Sequence, residues 1–158
     1  MTDTTESSDR IERQILLKAP RLRVWQALAN AEEFGRWFQV DLRGQAFVAG
    51  QPASGQITVP GYEHLRFNVQ VVDVEPEHRL SMRWHPYAID PDVDYSSEAT
   101  TLIEFELREV DGGTLLRVVE SGFDQVPAAR RLEAFRMNSH GWEQQLKNIE
   151  QHVGRRSR

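Results

Sequence analysis

Seven positions near the C-terminus constrain this chain more than any other feature. Leu132, Phe135, Ser139, Trp142, Leu146, Ile149 and Val153 are spaced three and four residues apart in strict alternation. That period draws one narrow stripe along an α-helix for about six turns. Every position except Ser139 is apolar, so the stripe needs an apolar surface of matching length to lie on. The rest of the chain reads mostly as short strands, and a curved sheet is the partner of that size. The spacing predicts an α+β fold in which one long C-terminal helix lies across the concave face of an antiparallel sheet.

The strands show their own period. Ile11, Ile15 and Leu17 fall on one parity, against Glu12, Gln14 and Lys18, which reads as a half-buried strand. Pro20 stops it, having no N–H for a ladder. Val24, Trp25 and Leu28 then recur at helical spacing, and Asn30 offers a stop or a fresh cap. A second short helix is expected around Ala31 to Arg36, ending in Trp37-Phe38. Gly44, Gly50, Gly55 and Gly61 with Pro52 and Pro60 punctuate short strands expected near Gln45–Ala49 and Gly55–Val59. Leu65 to Val71 alternates, and the adjacent Val71-Val72 before Val74 slips the phase as a β-bulge would. Leu80, Met82 and Trp84 form the next set. Ile103, Phe105 and Leu107 face away from Glu104 and Glu106, and Asp111-Gly112-Gly113 turns tightly into Thr114–Ser121. Six or seven antiparallel strands are expected, with two short helices after the first.

The 158 residues are expected to form a single domain over residues 10–153, with a loose polar tail over 1–9 and a basic tail over 154–158. The chain has no cysteine, which excludes a disulfide framework, a thiolate nucleophile and an iron–sulfur site. Nineteen Lys and Arg against 24 Asp and Glu leave a net charge of −5, which argues against nucleic acid as a partner. No run approaches the ~18 apolar residues of a membrane span. The polar N-terminus does not resemble a signal peptide, so the cytoplasm is the expected location. His64, His78, His85, His140 and His152 show no ligand spacing, and none shares a face with an acid, so no metal is expected. No nucleophile elbow, phosphate loop or dinucleotide fingerprint appears, and no cofactor is expected.

Ala19-Pro20, Val24-Trp25-x-Ala27-Leu28 and Trp37-Phe38 resemble the opening of the SRPBCC or START-like superfamily, whose element order is the helix-grip arrangement. Val72-Asp73-Val74-Glu75-Pro76 with Arg79-Leu80 and Trp84 is similar to the central hairpin of one branch, named after the activator of heat-shock-protein-90 ATPase. Thr101 to Leu107, Gly113-Thr114 and Glu120-Ser121-Gly122-Phe123 resemble its last hairpin, and Gly141-Trp142-x-x-x-Leu146 its C-terminal helix. The resemblance runs from about residue 11 to 153. It implies an apolar cavity between sheet and long helix.

Trp37, Phe38, Phe47, Phe67, Trp84, Phe105, Phe135 and Trp142 would supply the cavity walls, with ordinary core packing as the alternative for each. Ser139 leaves a small polar gap in the stripe beside Asn138, to be filled by a cavity, a water or a bond back to its own turn. Glu120 shares parity with Leu116 and Val118, so its carboxylate points where apolar groups point. It reads as a polar anchor in the cavity or as half of a salt bridge, with Arg13 as the candidate partner. His85 is expected to be exposed, and the long segment 86–98 reads as a lid or a surface excursion. The function expected first is binding of a small hydrophobic or amphipathic molecule without catalysis. The alternatives are an interaction module that modulates a chaperone ATPase, as the family name suggests, or a cyclase- or hydratase-type enzyme using Glu120 and Ser139. The expected partners are that small molecule or a chaperone, with the chain a monomer or homodimer.

Overall fold

A computed structural model of the chain describes residues 9–86 and 93–156. The elements run β1 (Arg10–Leu17), α1 (Arg21–Ala29), α2 (Ala31–Phe38), β2 (Pro52–Gln56), β3 (Arg66–Glu75), β4 (Arg79–Trp84), β5 (Thr101–Val110), β6 (Gly113–Ser121) and α3 (Ala128–Arg156). The six strands form one antiparallel sheet in the order β1-β6-β5-β4-β3-β2. Two short helices follow the first strand and one long helix closes the chain, so the helix-grip α+β expectation holds with six strands.

Local chemistry explains the punctuation. Asn30 serves two helices: its N–H bonds Gln26 O at the end of α1, and its side chain accepts from Glu33 N at 2.9 Å to cap α2. Glu32 and Glu33 then sit in the first turn of α2 and Arg36 in its last, matching the helix dipole. The phase slip in β3 is a bulge between Val71 and Asp73. The turn into β6 pairs Val110 with Gly113, and Gly112 takes the positive φ of 90° that side chains avoid.

One strand expectation fails and another is displaced. Residues 45–49 form no strand, and β2 spans Pro52–Gln56 rather than Gly55–Val59. The side chain of Gln45 takes over the role of a ladder, donating to Ser54 O at 2.5 Å and accepting from Ser54 N at 3.0 Å. Gly55 lies so close to the chain after α2 that a Cβ there would come within 1.9 Å of Asp41 O. That contact explains why this strand is short and glycine-containing.

The concave face carries Ile11, Leu17, Thr114, Leu116, Val118, Glu120, Thr101, Ile103, Phe105, Leu80, Met82 and Phe67, all buried. Trp142, Leu146, Ile149 and Val153 of α3 join α1, α2 and this face in one core. The stripe does not hold along the whole helix. Leu132 is 55% exposed, and the buried residue of that turn is Ala134. The outer face is ionic: Arg117 joins Glu12 at 2.7 Å and Glu106 at 2.6 Å, while Arg79 reaches Glu104 at 2.7 Å and Asp73 at 3.1 Å. These half-exposed pairs contribute little stability.

Candidate functional site

Glu120 is fully buried near the end of β6, opposite Ile11 on one side and Ile103 on the other. Its Oε2 accepts from Trp84 Nε1 at 2.7 Å and from Thr101 Oγ1 at 2.5 Å. Its Oε1 accepts from Trp142 Nε1 at 2.8 Å, and Asn138 Nδ2 lies 3.1 Å from both oxygens. Adjacent strands bring Trp84 and Thr101 to the acid, and α3 brings Asn138 and Trp142 down from above. Every donor is neutral. Burial pushes the Glu120 carboxyl above its ordinary range, while the hydrogen bonds from Thr101, Trp84, Trp142 and Asn138 pull the other way.

Arg13 is not the partner. It faces α3 instead, donating to Ser139 Oγ and lying 3.4 Å from Glu143. Arg13 leaves the edge strand β1 opposite Val118 of β6, and its side chain runs to α3 rather than along the sheet to Glu120.

Two hollows open on the other side of the donors. The larger, about 240 Å³, is lined by Phe38, Arg66, Phe67, Asn68, Trp84 and Asn138 among others, and lies between the start of β3, the end of β4 and α3. The smaller, about 120 Å³, is lined by Phe38, Trp84, Asn138, Gly141, Trp142 and Gln145. Phe38, Trp84 and Asn138 belong to both. Aromatic contacts fix these walls: Trp84 stacks on Trp142 with centroids 6.0 Å apart, and Phe38 meets Phe67 at 5.2 Å, Trp84 at 6.2 Å and Trp142 at 6.1 Å. Glu120 lines neither hollow; Trp84, Asn138 and Trp142 stand between it and the open space.

The other aromatic candidates lie elsewhere. Trp37 donates its indole N–H to Ala27 O at 2.8 Å and packs edge-on against Phe34 at 4.8 Å. Phe47 and Phe105 also meet Phe34, at 5.2 and 6.2 Å, and Phe135 packs on Phe123 at 5.4 Å. Phe34, at the hub of this cluster, is absent from the sequence-derived set because it sits among charged neighbours with no period of its own. That set also lacks Asn138, Gly141, His85 and Gln145, which line the hollows. The available signal was Gly141, a helix-interior glycine whose Cβ position faces open space.

His85 is half-buried, not exposed, and its Nε2 lies 3.1 Å from Glu98 O. Glu98 in turn pairs with Arg130 in the first turn of α3, so 93–98 is tied to both β4 and α3. The rest of the 86–98 segment, residues 87–92, lies outside the described residues. His152 does meet an acid, Glu33 at 2.7 Å, because α3 crosses α2 there. Among the described residues, no cluster of acids and histidines suits a metal ion, and no helix is long and apolar enough to cross a membrane.

A family model described as Activator of Hsp90 ATPase homolog 1-like protein matches residues 18–154. The chain belongs to this family. The family has the SRPBCC helix-grip fold, which commonly binds small hydrophobic ligands. Among solved structures, protein MLL2253 from Mesorhizobium loti is similar, with a TM-score of 0.70 and 22% identity over 92% of this chain and 97% of that one. Protein NE0264 from Nitrosomonas europaea gives 0.69 and 20%, covering 94% and 96%. A solution structure from Arthrobacter aurescens gives 0.75 and 14%, covering 94% and 87%. At these identities the likeness to these structures shows the fold alone. No curated protein matches the chain.

Proposed function

We propose that this family member binds a small, flat, largely apolar molecule in the adjoining hollows bounded by Phe38, Phe67, Trp84, Asn138 and Gly141. The observation that carries the reading is the shared wall. Phe38, Trp84 and Asn138 line both the 240 Å³ and the 120 Å³ hollows, so an aromatic wall that carries the Asn138 amide faces both. Apolar walls with few convergent polar groups are the usual make-up of a ligand site. The proposal assigns the site to binding. Glu120, the acid an enzymatic reading would use, has its oxygens taken up by four donors behind the wall.

Gly141→Leu tests this. The new side chain enters the hollow from a position with open space at its Cβ, and leucine favours a helix interior over glycine by about 1 kcal/mol. The expected result is a melting temperature equal to or above that of the parent, with loss of saturable binding of 1-anilinonaphthalene-8-sulfonate. Undiminished binding of the dye by a folded variant would remove the hollow from consideration.

A further inference from the structure

Resting on that reading, we propose that Asn138 sets the ligand's hydrogen-bonding character: in the smaller hollow it presents an acceptor and selects a flat apolar molecule carrying an N–H or O–H donor.

The argument begins at Glu120. The Glu120 oxygens accept from the indole N–H groups of Trp84 and Trp142, which cannot accept in return, and a proton held by the acid has Thr101 Oγ1, 2.5 Å from Oε2, to receive it. Asn138 approaches the same carboxylate, so the end of its amide that faces Glu120 must be the N–H₂ end, 3.1 Å from each oxygen. The chemistry of the partner thus settles the orientation of an amide whose two ends have nearly the same shape. Its carbonyl Oδ1 is turned away from the acid, at a residue that lines both hollows. Among the described residues no donor reaches that oxygen, and it is not among the enclosed atoms without a partner. It is an open acceptor in an aromatic wall.

The larger hollow also carries donors, with Arg66 and Asn68 in its lining. In the smaller one Gln145 donates to Phe38 O and accepts from Asn148, and the indole N–H groups of Trp84 and Trp142 are spent on Glu120. A bound molecule with its own acceptor at this spot would place oxygen against oxygen and leave Asn138 unpaired in an enclosed site. A donor would satisfy both sides, and that asymmetry is larger than the worth of an average hydrogen bond.

Indole and benzofuran separate the two cases, because they share ring size and shape while one presents N–H and the other a ring oxygen. Each is titrated into ¹⁵N-labelled protein, following the indole N–H resonances of Trp84 and Trp142. Indole is expected to bind about tenfold more tightly than benzofuran, and Asn138→Leu is expected to bring the two affinities together by weakening indole alone. Equal affinities in the parent protein, or a preference for benzofuran, would overturn the acceptor assignment while leaving the hollow as a binding site. If neither molecule moves the Trp84 or Trp142 resonance, the binding reading falls with it. The parent protein alone decides the first question, so the proposal stays testable should Asn138→Leu fail to fold.

Discussion

The two halves of α3 follow the same three-and-four spacing and meet different fates. From Trp142 onward the stripe is dry: Trp142, Leu146, Ile149 and Val153 are all buried in the main core. Before Trp142 the stripe fails. Leu132 is exposed, Phe135 and Ser139 are half-buried, and Asn138 and Gly141 turn toward the hollows. The second half meets α2, with Gln145 on Phe38 O and His152 on Glu33, whereas the first half meets β1 and β6 through Arg13–Ser139 and Asn138–Glu120, where the inner face carries Glu120 in place of an apolar residue. One half of a regular helix can therefore hold the fold together while the other half leaves room for a site.

Trp142 sits at the junction, and removing it gives the largest expected effect. Trp142→Ala takes away a buried ring and one of the donors to Glu120, and should cost about 3–5 kcal/mol in urea unfolding. A loss below about 1 kcal/mol would show that the stripe does not seat on the sheet.

Ile149→Ala probes the dry half by itself and should cost about 2–4 kcal/mol. Dye binding by the folded fraction should be unchanged, because Ile149 lines neither hollow. If binding falls in step with stability, the two halves are not separable and the comparison breaks.

The acid beneath the wet half carries a pH signature. The folded-state pKa of Glu120 is raised above the ordinary glutamate value of 4.5. Between those two pKa values the folded state holds a proton that the unfolded state has released, so the parent loses stability as pH rises through that window. Glu120→Gln lacks this dependence. The stability of the variant relative to the parent should rise across the window and then level off. Outer-face carboxylates such as Glu12, held low by hydrogen bonding to Arg117, act oppositely but are common to both proteins and cancel. A relative stability that is flat or falls with pH would show that the folded state does not penalise the charged acid.

The smallest effect belongs to Leu132→Ser. The stripe predicts a core residue, but at 55% exposure the change should stay within about 0.5 kcal/mol. A cost near that of Ile149→Ala would restore the unbroken stripe.

The backbone plan was legible from the chain because it rests on local period and punctuation. The seam from Trp142 onward, the β3 bulge, Asn30 as a stop or a cap and the Asp111-Gly112 turn each depend on residues near one another in the chain. Residues 45–49 were misread because a side chain, Gln45, replaced the backbone ladder, and no period records such a substitution. The parity of Glu120 correctly placed its carboxylate inside, yet its partners were out of reach of that reasoning. Trp84, Thr101, Asn138 and Trp142 come from two other strands and a helix.

The sequence by itself determined the fold class, the order of the elements and the face each strand buries, since periods of two and of 3.6 are properties of one segment. The tertiary structure alone decided that Glu120 has only neutral donors, that Arg13 turns to Ser139, and that Asn138 gives the N–H₂ end of its amide to Glu120. Those facts depend on which side chains meet across 18 to 126 positions of chain, and hydrogen-bond direction is settled by the partner, not by the residue that carries the amide.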